Sequence, residues 1–474
     1  SNDCSYADAL LLAHDRPSSQ PSQHTLAKST AASISALGRF VRLGSAGMRI
    51  AGNLLFQRLK PGQKNIDWTP AGELLGDVLG QLKGPVLKLG QQASQWQGVF
   101  PPPISKALAR LQNRVPAVSF STLEPHLEGL YDGQLHQLFQ PIEPEPSAAA
   151  SLGQVHRARD QQGQALIVKI QYPGIDAICA ADLRQVRRLL PLGRLFGTPA
   201  AQLNAVYAEL QRGIQLELDY EAERINLERF YQHFAGWSDL RLPASVPELC
   251  RPGVLVMEEI QGQSMEEVGE APEAVRQRLA NSLCLWLFEQ AFGLRLLHAD
   301  PHPGNLAWTE NGELVVYDFG SVLALQAPLL NAYVALFDAL IGEDSHALEG
   351  AFQALGGRQP DSEPPWDLYR RIHALMHPLL QPGVLWDFRA SALHQQLLEL
   401  LPLVVSALGS LQPASGTLLV NRTLEGHYWN LYRLGASLPI GDLLQPHIER
   451  IKRAPAAGHG KPRAGRKPAK QAAY

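Results

Sequence analysis

Apolar residues at Ile34, Leu37, Val41, Met48, Leu54 and Leu55 alternate with Arg39, Arg42, Arg49 and Arg58. That spacing predicts a basic amphipathic helical element, which suits either packing on the body of the protein or contact with an anionic membrane. Between residues 67 and 96, Leu82, Val86, Leu89, Ala93 and Trp96 supply a buried helical stripe. Lys88, Gln91, Gln92 and Gln95 share another face, which periodicity alone assigns to solvent. Pro101, Pro102 and Pro103 end this helical stretch, and a linker containing Pro141, Pro144 and Pro146 follows. The pattern then shortens. Apolar runs at 155–158 and 165–170 flank Asp160-Gln161-Gln162-Gly163, which predicts a β-hairpin. Helical spacing returns over 181–190 and 203–234, and a strand is predicted at 254–257. Beyond Ser282 the chain reads as helical. It is broken by a polar loop from His298 to Asn305 and a strand at 314–317, then runs from 323 to 449 as helices joined by Gly/Pro turns.

Composition changes this picture in one respect. The 474 residues are 45% apolar and 18% charged, enough to bury a large core, which excludes a chain disordered throughout. The net charge of −3 hides an uneven distribution. Residues 16–66 and 450–474 each carry eight Lys/Arg and no Asp/Glu, leaving 26 basic against 45 acidic residues elsewhere. An acidic body with two basic ends is therefore expected. Cys4, Cys179, Cys250 and Cys284 are widely spaced without a C-x-x-C pair, so neither a zinc site nor a disulfide framework is predicted. A reducing, cytoplasmic setting follows as an expectation. The longest apolar run, 283–297, is interrupted by Glu289 and Arg295 and falls short of the ~20 residues of a membrane span.

The chemistry lies in an ordered set of polar residues. His298-Ala299-Asp300-Pro301-His302-Pro303-Gly304-Asn305 sets an Asp and an Asn five positions apart, and Asp318-Phe319-Gly320 follows thirteen positions later. This spacing matches the order H-x-D-x-x-x-x-N then D-F-G, in which one Asp addresses the attacking group while the Asn and the second Asp hold magnesium. Upstream, Ile167-Val168-Lys169-Ile170 has the form of the strand whose Lys meets the nucleotide phosphates. Its carboxylate partner should lie on a nearby helix, where Glu217, Asp219, Glu221 and Glu223 are all candidates that spacing does not separate. The position of a glycine-rich phosphate loop holds Ser147-Ala148-Ala149-Ala150-Ser151 instead. Backbone N–H groups and the Ser151 hydroxyl can still cradle phosphate there, in a stiffer turn, because alanine does not readily take positive φ.

Lys88-Leu89-Gly90-Gln91, the alanine-rich loop, Lys169, Glu217-Leu218-Asp219, the His298–Asn305 loop and Asp318-Phe319-Gly320 together resemble the AarF/UbiB family of atypical kinases. The resemblance covers about residues 67–323. It implies an α+β, protein-kinase-like two-lobe fold with an N-terminal helical K-x-G-Q extension and a mostly helical C-terminal lobe. It further implies that Lys169 pairs with Glu223 and that Asp300 acts in the catalytic loop. Asn305 and Asp318 would bind Mg2+, and Ala148, Ala149, Ala150 and Ser151 would cradle the phosphates of ATP or ADP. Glu258 and Ile260 would meet adenine through the hinge. Lys88 and Gln91 would enter the active site facing Glu217 and Asp219, so the face assigned to solvent acquires a function.

The expected organisation is a disordered start at 1–30, a helical extension at 31–145, an N-lobe at 146–260, a C-lobe at 261–449 and a basic disordered tail at 450–474. The absence of an A-P-E motif after Gly320 argues against a platform for protein substrates. The expected function is magnesium-dependent ATP hydrolysis, or phosphorylation of a small or lipid-like molecule, in isoprenoid-quinone or other lipid metabolism. A nucleotide-binding regulatory scaffold without turnover is the alternative. Expected partners beyond the nucleotide are an anionic membrane, reached by peripheral attachment at its inner face, a lipid substrate and lipid-biosynthesis enzymes, with no specific nucleic acid.

Overall fold

The computed structural model describes residues 118–150, 152–189, 200–412 and 414–453. The chain divides into two compact units, one formed by residues 1–113 with 177–210 and the other by 114–176 with 211–474. The K-x-G-Q stretch, the expected disordered start, most of the expected helical extension and the tail beyond residue 453 lie outside the described residues. Residues 450–453, expected in the disordered tail, instead complete a helix because Arg450 is held by Glu289.

In the larger unit, α1 (Phe120–Leu130) buries Leu123 and Leu127, four positions apart, and the short α2 (Leu135–Leu138) follows. A four-stranded antiparallel sheet comes next, built from β1 (Ala148–Ala150), β2 (Gly153–Arg159), β3 (Ala165–Gln171) and later β5. The hairpin between β2 and β3 turns where the sequence predicts. Asp160 Oδ1 accepts from the backbone N–H groups of Gln162 and Gln164, and Gly163 takes φ +86°. Gly153 is required at the start of β2, because a Cβ there would stand 2.2 Å from the carbonyl oxygen of Ile170.

Two helices, α3 (Ile175–Leu189) and α4 (Ala200–Leu218), have their larger parts in the smaller unit. Helical periodicity predicts an unbroken helix over 203–234, but the chain breaks at Asp219 and restarts as α5 (Tyr220–His233). The physical cause is local. The Asp219 carboxylate accepts from the N–H of Ala222 at 2.8 Å, an N-cap that begins a new helix. Then come β4 (Leu240–Arg241), β5 (Val254–Glu258) and β6 (Gln263–Ser264).

The helical region opens with α6 (Glu273–Phe288), whose Leu279, Leu283 and Trp286 are fully buried. A π-helical segment, Glu289–Leu294, ends it, and Glu289 accepts there from His233 and Arg450. After β7 (Leu296–His298), β8 (Leu306–Trp308), β9 (Leu314–Val316) and β10 (Val322–Ala324) come α7 (Ala327–Ile341), α8 (Ser345–Ala354) and α9 (Trp366–Leu380). The chain continues through β11 (Trp386–Asp387), α10 (Leu393–Glu399), α11 (Leu401–Ser406), α12 (Leu418–Leu434), β12 (Ser437–Leu438) and α13 (Ile440–Arg453). Several of these short strands escape prediction because two or three residues carry no readable period. One core joins α5, α6, α12 and α13 around Phe230, Trp286, Phe319 and Leu434. No helix among the described residues is long and apolar enough to cross a membrane.

Candidate active site

Along β3, Leu166, Val168 and Ile170 are buried on one face, so Lys169 points to the other. There α5 meets it. Tyr220 and Glu223 lie three positions apart on the same side of that helix. The Lys169 ammonium sits 4.9 Å above the Tyr220 ring and 2.8 Å from both Glu223 carboxylate oxygens. Glu223 is buried. The four-carboxylate ambiguity is thus resolved by position: Glu221 pairs with Arg224 at the surface, Asp219 caps α5 in an exposed position, and Glu217 lies near enough to raise the Glu223 pKa.

Asp318 approaches Lys169 from the end of β9, its Oδ2 3.4 Å from Nζ. Gly320 donates its N–H to Asp318 Oδ1 at 2.9 Å, while Phe319 is buried against Phe230 and edge-on to His298. Burial works against the Lys169 charge, but Asp318 and Glu223 outweigh it and hold the ammonium well above the ordinary lysine range. Confinement similarly opposes the Asp318 charge. Lys169, the Gly320 N–H and His298 outweigh it and keep this carboxyl below its usual value. Burial lifts Glu223 to about 7, the Asp318 charge adding and Lys169 opposing.

The His298–Asn305 loop is bound to the Asp318 segment. β7 pairs with β10, Ala299 N–H donates to the Ser321 carbonyl at 2.8 Å, and His298 Nε2 donates to the Asp318 carbonyl. Gln290 Oε1 accepts from the His298 backbone N–H at 2.7 Å. Within the loop, Asn305 Nδ2 donates to Asp300 Oδ2 at 3.0 Å and to the Asp300 carbonyl at 3.2 Å. This leaves the Asn305 amide oxygen as the atom able to ligate a cation. Among the described residues no three His, Cys, Asp or Glu side chains cluster to hold a metal by themselves. The Asp318 carboxylate and the Asn305 amide oxygen would offer oxygen donors only, a chemistry that fits Mg2+, a cation that draws its remaining ligands from phosphates and water.

One expectation is corrected. The Ala148–Ala150 segment is not the body of a phosphate-cradling turn but the extended strand β1, with Ala148 opposite Val155 and Ala150 opposite Gly153. Antiparallel pairing with β2 extends the alanines. Ser151, Lys88 and Gln91 lie outside the described residues. Glu258 ends β5, and the Ile260 carbonyl accepts from the Tyr317 hydroxyl at 3.0 Å. The sequence reading passed over Tyr220, Gln290 and Tyr317. Tyr220 carries a usable signal, its helical spacing from Glu223; the other two act through contacts that no local pattern encodes.

Deeper in the core, His427 lies 1% exposed with its ring against Trp286, and burial together with neighbouring His298 pushes its pKa from 6.5 down to about 3. The unfolded chain takes up this proton near 6.5, whereas the folded one stays neutral until about 3. Stability is therefore complete above pH 6.5 and declines as pH falls towards 3. A loss of about 2 kcal/mol is expected from this group at pH 5. His427→Phe should flatten the dependence of Tm on pH between 7 and 5; an unchanged slope would exclude His427 as its source.

The match to known families follows this geometry. Residues 110–351 fit the model of the ABC1 atypical kinase-like domain, about half of the chain. The chain belongs to this family. An aarF domain-containing protein kinase of Arabidopsis thaliana chloroplasts is 32% identical over 294 residues, 61% of this chain and 41% of that one. AarF domain-containing protein kinase 1 of Xenopus tropicalis is 29% identical over 282 residues, 58% of this chain and 54% of that one. The AarF/UbiB resemblance read from the motifs is thereby borne out. This chain spans about half, or less, of the length of these relatives. In the solved complex of Rv3197 with erythromycin from Mycobacterium tuberculosis, the protein superposes with a TM-score of 0.59 at 24% identity, covering 79% of this chain and 94% of that one. The shared fold is kinase-like. In this ABC1 atypical kinase-like chain, the matched segment contains Lys169, Glu223, Asp300, Asn305 and Asp318.

Proposed function

We propose that this protein binds ATP with Mg2+ and turns it over, either as an ATPase or by phosphoryl transfer to a small or lipid-like acceptor. The observation that carries the reading is the convergence of Lys169, Glu223 and Asp318, tied through the Asp318 segment to the Asp300–Asn305 pair. Asp318 and Asn305 would hold Mg2+, which supplies charge neutralisation on the phosphates. Lys169 offsets phosphate charge and is aimed by Glu223. Asp300, fixed by Asn305, orients the attacking water or hydroxyl. Catalysis by such a site is mostly positioning and electrostatics.

A lipid setting is supported by the α10–α11 surface. Leu397, Leu398, Leu401, Val405 and Leu408 are exposed there, no charged side chain occurs between Glu399 and Arg422, and Trp429 is part-exposed nearby, 5.0 Å from His394 of α10. An interfacial apolar face flanked by aromatics suits a membrane surface.

The test is Mg2+-dependent phosphate release from ATP, with and without anionic vesicles. Asp300→Asn should reduce the rate roughly 10²-fold or more while ATP still binds. Equal, slow release by wild type and variant, with nucleotide bound by both, would replace this reading with the non-turnover scaffold.

A further inference from the structure

Helix α12 lies beyond residue 351, where the family match ends, yet it grips the catalytic loop. Asn430, 1% exposed, donates from Nδ2 to the carbonyl of Pro301 at 2.7 Å. Pro301 directly follows Asp300 in the chain. One helical turn earlier, Gly426 lies under the ring of the same proline, where a Cβ would stand 2.5 Å from Pro301 Cγ. The two contacts are complementary. A buried carbonyl needs a donor, which Asn430 supplies, and the close approach of helix to ring needs a residue without a side chain, which Gly426 is. Asp300 is consequently fixed on both flanks, by Asn305 within the loop and through Pro301 by α12.

We propose that Asn430 and Gly426 are positioning residues for Asp300: by locking Pro301 they set the aim of the Asp300 carboxylate, making α12 part of the active site's support. The proposal rests on the reading of Asp300 as the group that orients the acceptor. Neither residue touches nucleotide or metal, so their loss should appear in kcat and not in nucleotide affinity. A displacement of the loop by a fraction of an ångström to an ångström is enough, since positioning errors of that size cost up to about 10²-fold.

Asn430→Leu keeps the volume and removes the donor; Gly426→Ala pushes on the ring and keeps the donor. Each should lower kcat for phosphate release roughly 10- to 100-fold, with KM for ATP changed by less than about twofold. Adding Pro301→Ala to Gly426→Ala removes the ring atoms that the new methyl meets, so the double variant should be faster than Gly426→Ala alone. Wild-type kcat in both single variants, or a double variant no faster than the single, would overturn the proposal. So would parallel loss of kcat, ATP affinity and the melting transition, which marks a merely structural role. Should wild type show no turnover, the reading of Asp300 fails, while amide hydrogen exchange still decides the support. Faster exchange at Gly304 and Asn305 in Asn430→Leu, with β3 and β5 unchanged, would uphold it, and unchanged loop exchange would overturn it.

Discussion

Asp318→Asn is expected to reduce Mg2+-dependent phosphate release by roughly 10²–10³-fold, the scale of removing one preorganised electrostatic contact from a transition state. The substitution preserves shape and the hydrogen bond from Gly320, since an amide oxygen can replace Oδ1. It removes the negative charge that faces Lys169 at 3.4 Å and that would bind the cation. The substitution gives up the Asp318–Lys169 attraction but leaves the Lys169–Glu223 pair in place and removes the charge that raises Glu223, so the effects on folding oppose one another. The expected signature is a Tm near that of wild type, retained but less magnesium-sensitive nucleotide binding, and lost turnover. Isothermal titration at several Mg2+ concentrations beside the release assay checks all three. Wild-type turnover in this variant would remove Asp318 from the metal site.

Lys169→Met should be the most destabilising change in the site. Glu223 is 4% exposed, and removing its cationic partner leaves a carboxyl that is already lifted to about 7 by burial and by Asp318. Breaking a buried pair from one side costs about 3–5 kcal/mol. The sign of the pH dependence follows. The folded variant holds the Glu223 proton to a higher pH than the unfolded chain, so its stability falls as pH rises, and the deficit should be larger at pH 8 than at pH 6. Lys169→Met with Glu223→Leu removes both charges, and urea unfolding should recover much of the loss. Turnover should be absent in both, because the proposed role of the ammonium is to address phosphate. A double variant no more stable than Lys169→Met would mean that the pair does not carry the penalty.

The ordered motifs made the chemical groups legible in advance because a kinase-like motif couples residue type to spacing. Lys169, Asp300, Asn305 and Asp318 could each be named from local sequence. The β2–β3 hairpin was equally legible, since Asp160 and Gly163 encode their own turn. The partner of Lys169 was not. Four carboxylates within seven residues look alike until Asp219 caps α5 and turns Glu223, three positions after Tyr220, towards β3. The alanine-rich segment misled for a related reason: its residues tolerate a turn, and only pairing with β2 makes them a strand.

By itself, then, the sequence determined the family, the order of the candidate-site groups and the elements whose period is long enough to read. Those properties depend on covalent neighbours and on helical or strand spacing. Tertiary structure decided which carboxylate meets Lys169, that Tyr220 lies beneath its ammonium, and that Asn430 holds the carbonyl of Pro301 across 129 residues of chain. These contacts join segments that share no pattern, and burial selects them, because a charge or a carbonyl withdrawn from water must find its partner wherever the fold brings one.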